Sequence, residues 1–304
     1  MSIQNFLIKR QLKKSVSALR EKTKDKPANV TTARRYVEKM FTRFKVPSEV
    51  EISAAEIEGI SVEWLNSPNN RHDALLLYFH GGGYCLGSIG CYRSMVGKIC
   101  LDMGMPALTV EYRLAPEHPS PAATDDALKV YKHLLEAGHD PKKIIIAGDS
   151  AGGGLSLSTL INIREAGLPQ PLGAILISPW LDLTGTSASM RTKAAKDWIL
   201  EPYRLPEYGA FYAGDLSLDD PQVSPLFADL TDLAPMLIQV GTDEILLDDS
   251  TRLAEKLKSA GRPYELQVEK GQLHVWHVMW PILPEARKAI KKMAQFADQL
   301  LQKT

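Results

Sequence analysis

A serine hydroxyl becomes a useful nucleophile only when a base can take its proton and a third group holds that base in place. Three stretches of this chain supply such parts. The first is Ile144 to Gly154, IIIAGDSAGGG, an aliphatic run that enters Gly148-Asp149-Ser150-Ala151-Gly152 and passes at once into a helical pattern. The spacing suits a strand-to-helix turn so tight that a side-chain carbon two residues to either side of the serine would collide with it. Such a turn lifts the Ser150 hydroxyl clear of a sheet and aims the next amide, that of Ala151, at the same point in space. The second stretch, His80-Gly81-Gly82-Gly83, follows the apolar run Ala74 to Phe79. Consecutive glycines let backbone N–H groups approach a ligand and meet the negative oxygen of a tetrahedral intermediate.

The third stretch lies toward the C-terminus. A serine on such a corner takes its partners in the chain order serine, acid, histidine. Of the 7 histidines, only His274 and His277 in GQLHVWH lie beyond the candidate acids. His274, nearer the preceding strand, is the expected base, and His277 reads as a surface or core residue. Asp243, the first carboxylate after the strand Met236 to Val240, is the expected acid. Glu244, Asp248 and Asp249 should already be entering a helix, whose N-terminus favours negative charge, and Asp182 is the competing acid.

These groups need a scaffold that gathers them at one edge. Near-continuous apolar runs at Ala74 to Phe79, Ala107 to Val110, Ile144 to Ile146, Ala174 to Ile177 and Met236 to Val240 read as strands buried on both faces. Helical stretches at Pro121 to Ala137, Ser150 to Ala166, Leu247 to Ala260 and Pro284 to Gln302 separate or follow them. Their alternation predicts an α/β fold, a mostly parallel, doubly wound sheet with catalytic groups at the carboxyl ends of its strands. A hairpin around Gly59 precedes it. Tyr264, Leu266 and Val268 alternate with polar residues, as an edge strand with one wet face would, and that edge could pair with its twin in a homodimer through 264–269. Residues 1 to about 45 read as two amphipathic helices split near Lys26-Pro27, with Ile3, Phe6, Leu7, Val16, Leu19, Tyr36, Met40 and Phe41 on their apolar faces. The proline-dotted region from Leu181 to Pro235 breaks the pattern and reads as an insertion.

Bulk properties narrow the partners. The 36 basic and 36 acidic residues balance, which argues against nucleic acid or an anionic membrane as main partner. Three cysteines without a CxxC pattern fit a reducing, cytoplasmic setting, and neither a signal peptide nor a membrane-spanning run is legible.

HGGGY at 80–84, YRLAPE at 112–117 with PAATDD after it, GDSAGG at 148–153 and SPWLDL at 178–183 occur in that order. Together they resemble the hormone-sensitive-lipase-like family of α/β-hydrolase esterases, in its GDSAG branch, from about residue 50 to the end. The resemblance implies an eight-stranded α/β-hydrolase domain over 46–304, with a cap built from residues 1–45 and an insertion at about 184–220. It implies that Gly82 and Gly83 join Ala151 in the oxyanion hole, and that neither metal nor organic cofactor is needed. By the same resemblance His80, Tyr112, Arg113 and Glu117 are scaffold for the oxyanion loop. Two positions depart from the family pattern. Asp243 is followed by Glu244 and Ile245 where DPL is common, and His274 by Val275 and Trp276 where glycine and an aromatic are common.

The expected activity is serine carboxylesterase action on short to medium acyl esters, with Ser150, His274 and Asp243 as triad and an acyl-enzyme intermediate. Tyr84, Trp180 and Trp276 are candidates for the walls of the substrate pocket. The same triad could serve amide or carbamate hydrolysis. A non-catalytic hormone receptor of the same fold lacks the triad histidine, so His274 argues against that alternative.

Overall fold

The strand β3 (Leu75–Phe79) shows why the apolar runs are continuous. Leu75, Leu77 and Phe79 enter one core cluster, whereas Leu76 and Tyr78 enter another on the opposite side of the sheet. Successive side chains of a strand point to opposite faces, so burial of both faces demands an unbroken apolar sequence. The same division holds for Ile146 and Ile145, and for Ile238 and Leu237. The computed structural model describes residues 2–23, 25–71 and 73–303, the side chains at 18, 19 and 21–23 excepted, so the Leu19 side chain lies outside the described residues.

The strands are β1 (Glu51–Ile57), β2 (Ile60–Asn66), β3, β4 (Ala107–Val110), β5 (Ile144–Asp149), β6 (Gly173–Ile177), β7 (Met236–Gly241) and β8 (Tyr264–Glu269). They form one sheet in the order β1-β2-β4-β3-β5-β6-β7-β8. The hairpin β1-β2 and the β2-β4 pair are antiparallel, and every pair from β4 to β8 is parallel. The expected α/β-hydrolase architecture of eight strands is therefore present.

Helices cover both faces. Those designated α3 (Ile89–Met103) and α9 (Pro284–Leu301) supply Met95, Ile99, Ile290 and Met293 to one cluster. On the other side, α4 (Ala122–Glu136), α5 (Ala151–Glu165) and α8 (Leu247–Ser259) supply Val130, Leu160 and Leu253. Each such leucine or isoleucine contributes roughly 1.5–3 kcal/mol by leaving water.

Two expectations need correction. The edge strand β8 does not have a simple dry face, because Tyr264 and Val268 are both exposed. The polar residue Gln267 instead reaches a buried partner, Gln239, at 2.8 Å. In α1 (Ile3–Thr23), the residues Ile3, Phe6 and Leu7 face outward, with Ile3 at 77% exposure. Polar contacts hold this helix to the body: Asn5 Nδ2 donates to the Gly271 carbonyl at 3.0 Å, and Lys9 pairs with Asp243. Polar contacts thus share this attachment with Ile8, which packs against the cluster around Trp276, while the residues expected on the apolar face point outward.

The second helix, α2 (Val30–Phe41), lies over the loop after β3 through Arg34, whose Nε donates to the Cys85 carbonyl at 2.8 Å and whose Nη2 donates to the Ala115 carbonyl at 3.0 Å. Between β6 and β7 the chain forms α6 (Ala188–Thr192) and α7 (Leu205–Ala213). Among the described residues, no helix is long and apolar enough to cross a membrane.

Candidate active site

The corner at Ser150 is as tight as the glycine spacing required. Ser150 has φ 53° and ψ −121°, a conformation that L-residues avoid without support from their surroundings. A Cβ on Gly148 would run into the Gly152 carbonyl, and one on Gly152 into the Phe79 carbonyl. The support is a set of backbone bonds: Ser150 N–H donates to the Ile177 carbonyl at 2.8 Å, and the Ser150 carbonyl accepts from Trp180 N–H at 2.9 Å. Ser150 stands between the end of β5 and the start of α5 with 7% exposure.

The glycine loop sits beside this corner because Asp149 fastens it there. One oxygen of the buried Asp149 carboxylate accepts from Gly81 N–H at 3.0 Å and from the Tyr78 hydroxyl at 2.7 Å. Burial pushes Asp149 up to about 6, even though these donors favour its charged form. The Gly82 carbonyl turns back to accept from Cys85 and Leu86 N–H groups. Among the described residues, the N–H groups of Gly82 and Gly83 meet no acceptor. Ala151, as first residue of α5, likewise has no acceptor within its helix.

His80 is part of the scaffold for this loop. Its ring stacks on Tyr112 at 4.4 Å, and burial lowers it to about 4, so it is neutral. Its Nδ1 lies 2.8 Å from the Gly81 carbonyl, and Tyr112 donates to the His80 carbonyl at 2.6 Å. Arg113 is paired with Asp126 at 2.8 Å and Glu117 with Arg34 at 2.7 Å.

The carboxylate that meets His274 differs from the sequence expectation. Glu244 Oε2 lies 2.8 Å from His274 Nδ1, and both side chains are buried. Asp243 turns the other way, to Lys9 of α1, and Asp182 pairs with Arg252 at 2.5 Å. The physical reason lies in the turn after β7. Asp243 N–H is tied to the Gln272 carbonyl at 3.0 Å, and α8 begins only at Leu247, so Glu244 is still in the turn with its side chain directed inward. A partial signal was present: the leucine of the family's DPL has its counterpart in Leu246, two residues after Glu244, whereas Ile245 stands two residues after Asp243.

Electrostatics fit a base at His274. Burial disfavours a charged imidazole, but the bond and charge of Glu244, with the further charges of Asp197 and Asp149, outweigh it and hold His274 above its ordinary 6.5. With Nδ1 engaged by Glu244, Nε2 is the nitrogen left to exchange a proton.

A family model described as the alpha/beta hydrolase fold matches residues 76–278. The chain belongs to this family. An "Acetyl-hydrolase" of Streptomyces hygroscopicus is 39% identical over 78% of this chain and 79% of its own length. An "Esterase" of Acinetobacter venetianus is 37% identical over 83% of each. Among solved structures, EstE5 soaked with p-nitrophenyl butyrate superimposes with TM-score 0.93 at 38% identity, covering 99% of this chain and 100% of that one. An esterase from the bacterial hormone-sensitive lipase family gives TM-score 0.90 at 36% identity over 96% and 98%. The resemblance to hormone-sensitive-lipase-like esterases holds.

In this hydrolase the three aromatic residues expected to line a pocket are core residues. Trp276 is fully buried in a small cluster with Leu283, Ala286 and Ala289. Tyr84 stacks on Tyr212 with centroids 3.7 Å apart, and Trp180 packs at 6.2 Å from Tyr84 with its indole N–H bonded to the Asp182 carbonyl. Their adjacency to motif residues in sequence said nothing about direction. His277 is buried against Gln239 at 2.9 Å and takes no part in the constellation.

Proposed function

We propose that the chain is a serine carboxylesterase in which Ser150 is the nucleophile, His274 the general base and acid, and Glu244 the residue that orients the imidazole. The observation that carries this reading is the 2.8 Å contact of Glu244 with His274 at the strand edge where Ser150 holds its strained corner. Ser150 Oγ attacks the ester carbonyl as His274 Nε2 takes its proton, and Glu244 stabilises the imidazolium. The amides of Gly82, Gly83 and Ala151 receive the oxyanion, each donor contributing on the order of 10²-fold to the rate. Collapse expels the alcohol, which collects the proton from His274. Water then attacks the acyl-enzyme with the same assistance.

Short to medium acyl esters are the substrates this reading favours; one relative is named an "Acetyl-hydrolase". Residues 1–45 and about 184–220 serve as its cap. Two sets of contacts support that role: Arg20 of α1 donates to the Asp197 and Leu200 carbonyls, and Ala28 N–H donates to Glu207 of α7. A homodimer through β8 is supported by its exposed Tyr264 and Val268; a monomer mass in light scattering excludes it. The three unpaired cysteines, all buried, suit a reducing compartment.

The test is a p-nitrophenyl acyl series from acetate to decanoate on the wild type and Ser150→Ala. Turnover in the wild type that falls with chain length and vanishes in the variant is expected. Equal rates in the two proteins remove Ser150 from the mechanism.

A further inference from the structure

We propose that Ser178 is a positioning residue for this reaction, fixing the Glu244 carboxylate and the His274 loop in one frame. The proposal rests on the assignment of Ser150, His274 and Glu244 made above. Ser178 is the first residue past β6 and is fully buried. Its Oγ donates to Glu244 Oε1 at 2.9 Å and accepts from Val275 N–H at 3.2 Å. Its own N–H donates to the Gln239 carbonyl on β7 at 2.7 Å. The residue before it, Ile177, accepts from Ser150 N–H. Two consecutive residues therefore touch the chain segments that carry nucleophile, acid and base.

The hydrogen-bond inventory gives this hydroxyl a defined direction. A serine has one proton to donate, and Glu244 receives it, while the Val275 N–H occupies a lone pair. Glu244 Oε1 also accepts from Gly241 N–H at 2.5 Å, so that oxygen is held from two sides and Oε2 is left facing His274. Without the hydroxyl the carboxylate can turn about its last bond and the His274 loop loses an anchor. Ser178 also has φ 45°, a backbone conformation in which glycine would rest more easily. Strain retained at a serine points to its hydroxyl as the useful group.

That backbone geometry makes the test sharp. Ser178→Gly removes the hydroxyl in a conformation glycine accepts, and Ser178→Ala removes it while keeping Cβ. Both are compared with wild type for kcat and KM on p-nitrophenyl butyrate across pH, for inactivation by phenylmethylsulfonyl fluoride, and for folded fraction by near-UV circular dichroism. Loss of one hydrogen bond to a charged group should lower kcat per folded molecule about ten- to a hundredfold in both variants, with KM little changed. Sulfonylation of Ser150 should slow in parallel. The acid limb of kcat/KM should move to lower pH, because a carboxylate free to turn away holds the charged His274 ring less well. The charges of Asp149 and Asp197, also felt by His274, stay in place in both variants. Undiminished kcat in Ser178→Gly, or a loss with unslowed sulfonylation and an unmoved limb, overturns the proposal. Absence of turnover in the wild type would instead overturn the esterase assignment beneath it.

Discussion

Glu244 Oε2 and His274 Nδ1 are 2.8 Å apart, whereas the neighbouring Asp243 carboxylate is held by Lys9 on the outer side of the same turn. Glu244→Gln keeps the shape and removes the charge, so kcat should fall on the order of 10²-fold or more. Asp243→Asn should leave kcat near wild type and cost at most about 1 kcal/mol of stability, the size of a partly exposed ion pair. Steady-state kinetics with thermal melts on the two variants distinguish these effects. A collapse of kcat in Asp243→Asn alone would reverse the assignment.

In the proposed mechanism the protonation of His274 sets the pH dependence. Only the neutral ring can take the Ser150 proton, so kcat/KM should rise with pH through a value above 6.5, the direction in which Glu244 moves this histidine. In Glu244→Gln the imidazolium loses its partner, so the remaining activity should keep its acid limb at lower pH. A pH profile of each protein checks the sign, and a limb well below 6.5 in the wild type would contradict it.

Gly82 has φ 124°, and a Cβ there would run into the Leu86 carbonyl. Gly82→Ala should therefore displace the loop and its amides, with a loss of about 10²- to 10³-fold in kcat, the range for one oxyanion donor. Binding of a short-chain ester should suffer less. Measuring kcat and KM separately shows whether the transition state bears the loss.

His277 is buried and held down to about 3, chiefly by burial and then by the charge of His274. Its folded pKa is depressed, so the unfolded chain takes up a proton that the folded chain refuses. Stability should be lost as pH falls from 6.5 toward 3. His277→Ala should remove this component of the slope and cost about 2 kcal/mol near neutrality through the emptied space and the orphaned Gln239 oxygen. Activity should persist. Urea unfolding at several pH values, beside one esterase assay, tests both halves.

Much of this arrangement was legible in the sequence because burial of both sheet faces leaves an unmistakable apolar run. β3, β4, β6 and β7 could be placed to within a residue, β5 runs three residues beyond its aliphatic stretch, and Ser150, His274 and the glycine loop could be placed at strand ends. Turns carry less information. Whether Asp243 or Glu244 points inward depends on backbone bonds such as Asp243 N–H to the Gln272 carbonyl, which join segments far apart in sequence. Side-chain direction was equally hidden at Trp276, which follows His274 by two residues yet packs under α9. Ser178 was visible only as the first letter of SPWLDL, since a lone serine has no periodicity to betray its partners.

The most direct test is the rate and position of labelling by an alkyl fluorophosphonate, followed by mass spectrometry of peptides. The adduct should fall on the peptide containing Ser150, form quickly in wild type and Asp243→Asn, and form at least about a hundredfold more slowly in Glu244→Gln. Labelling at another residue, or full-speed labelling of Ser150 in Glu244→Gln, would contradict the triad of Ser150, His274 and Glu244.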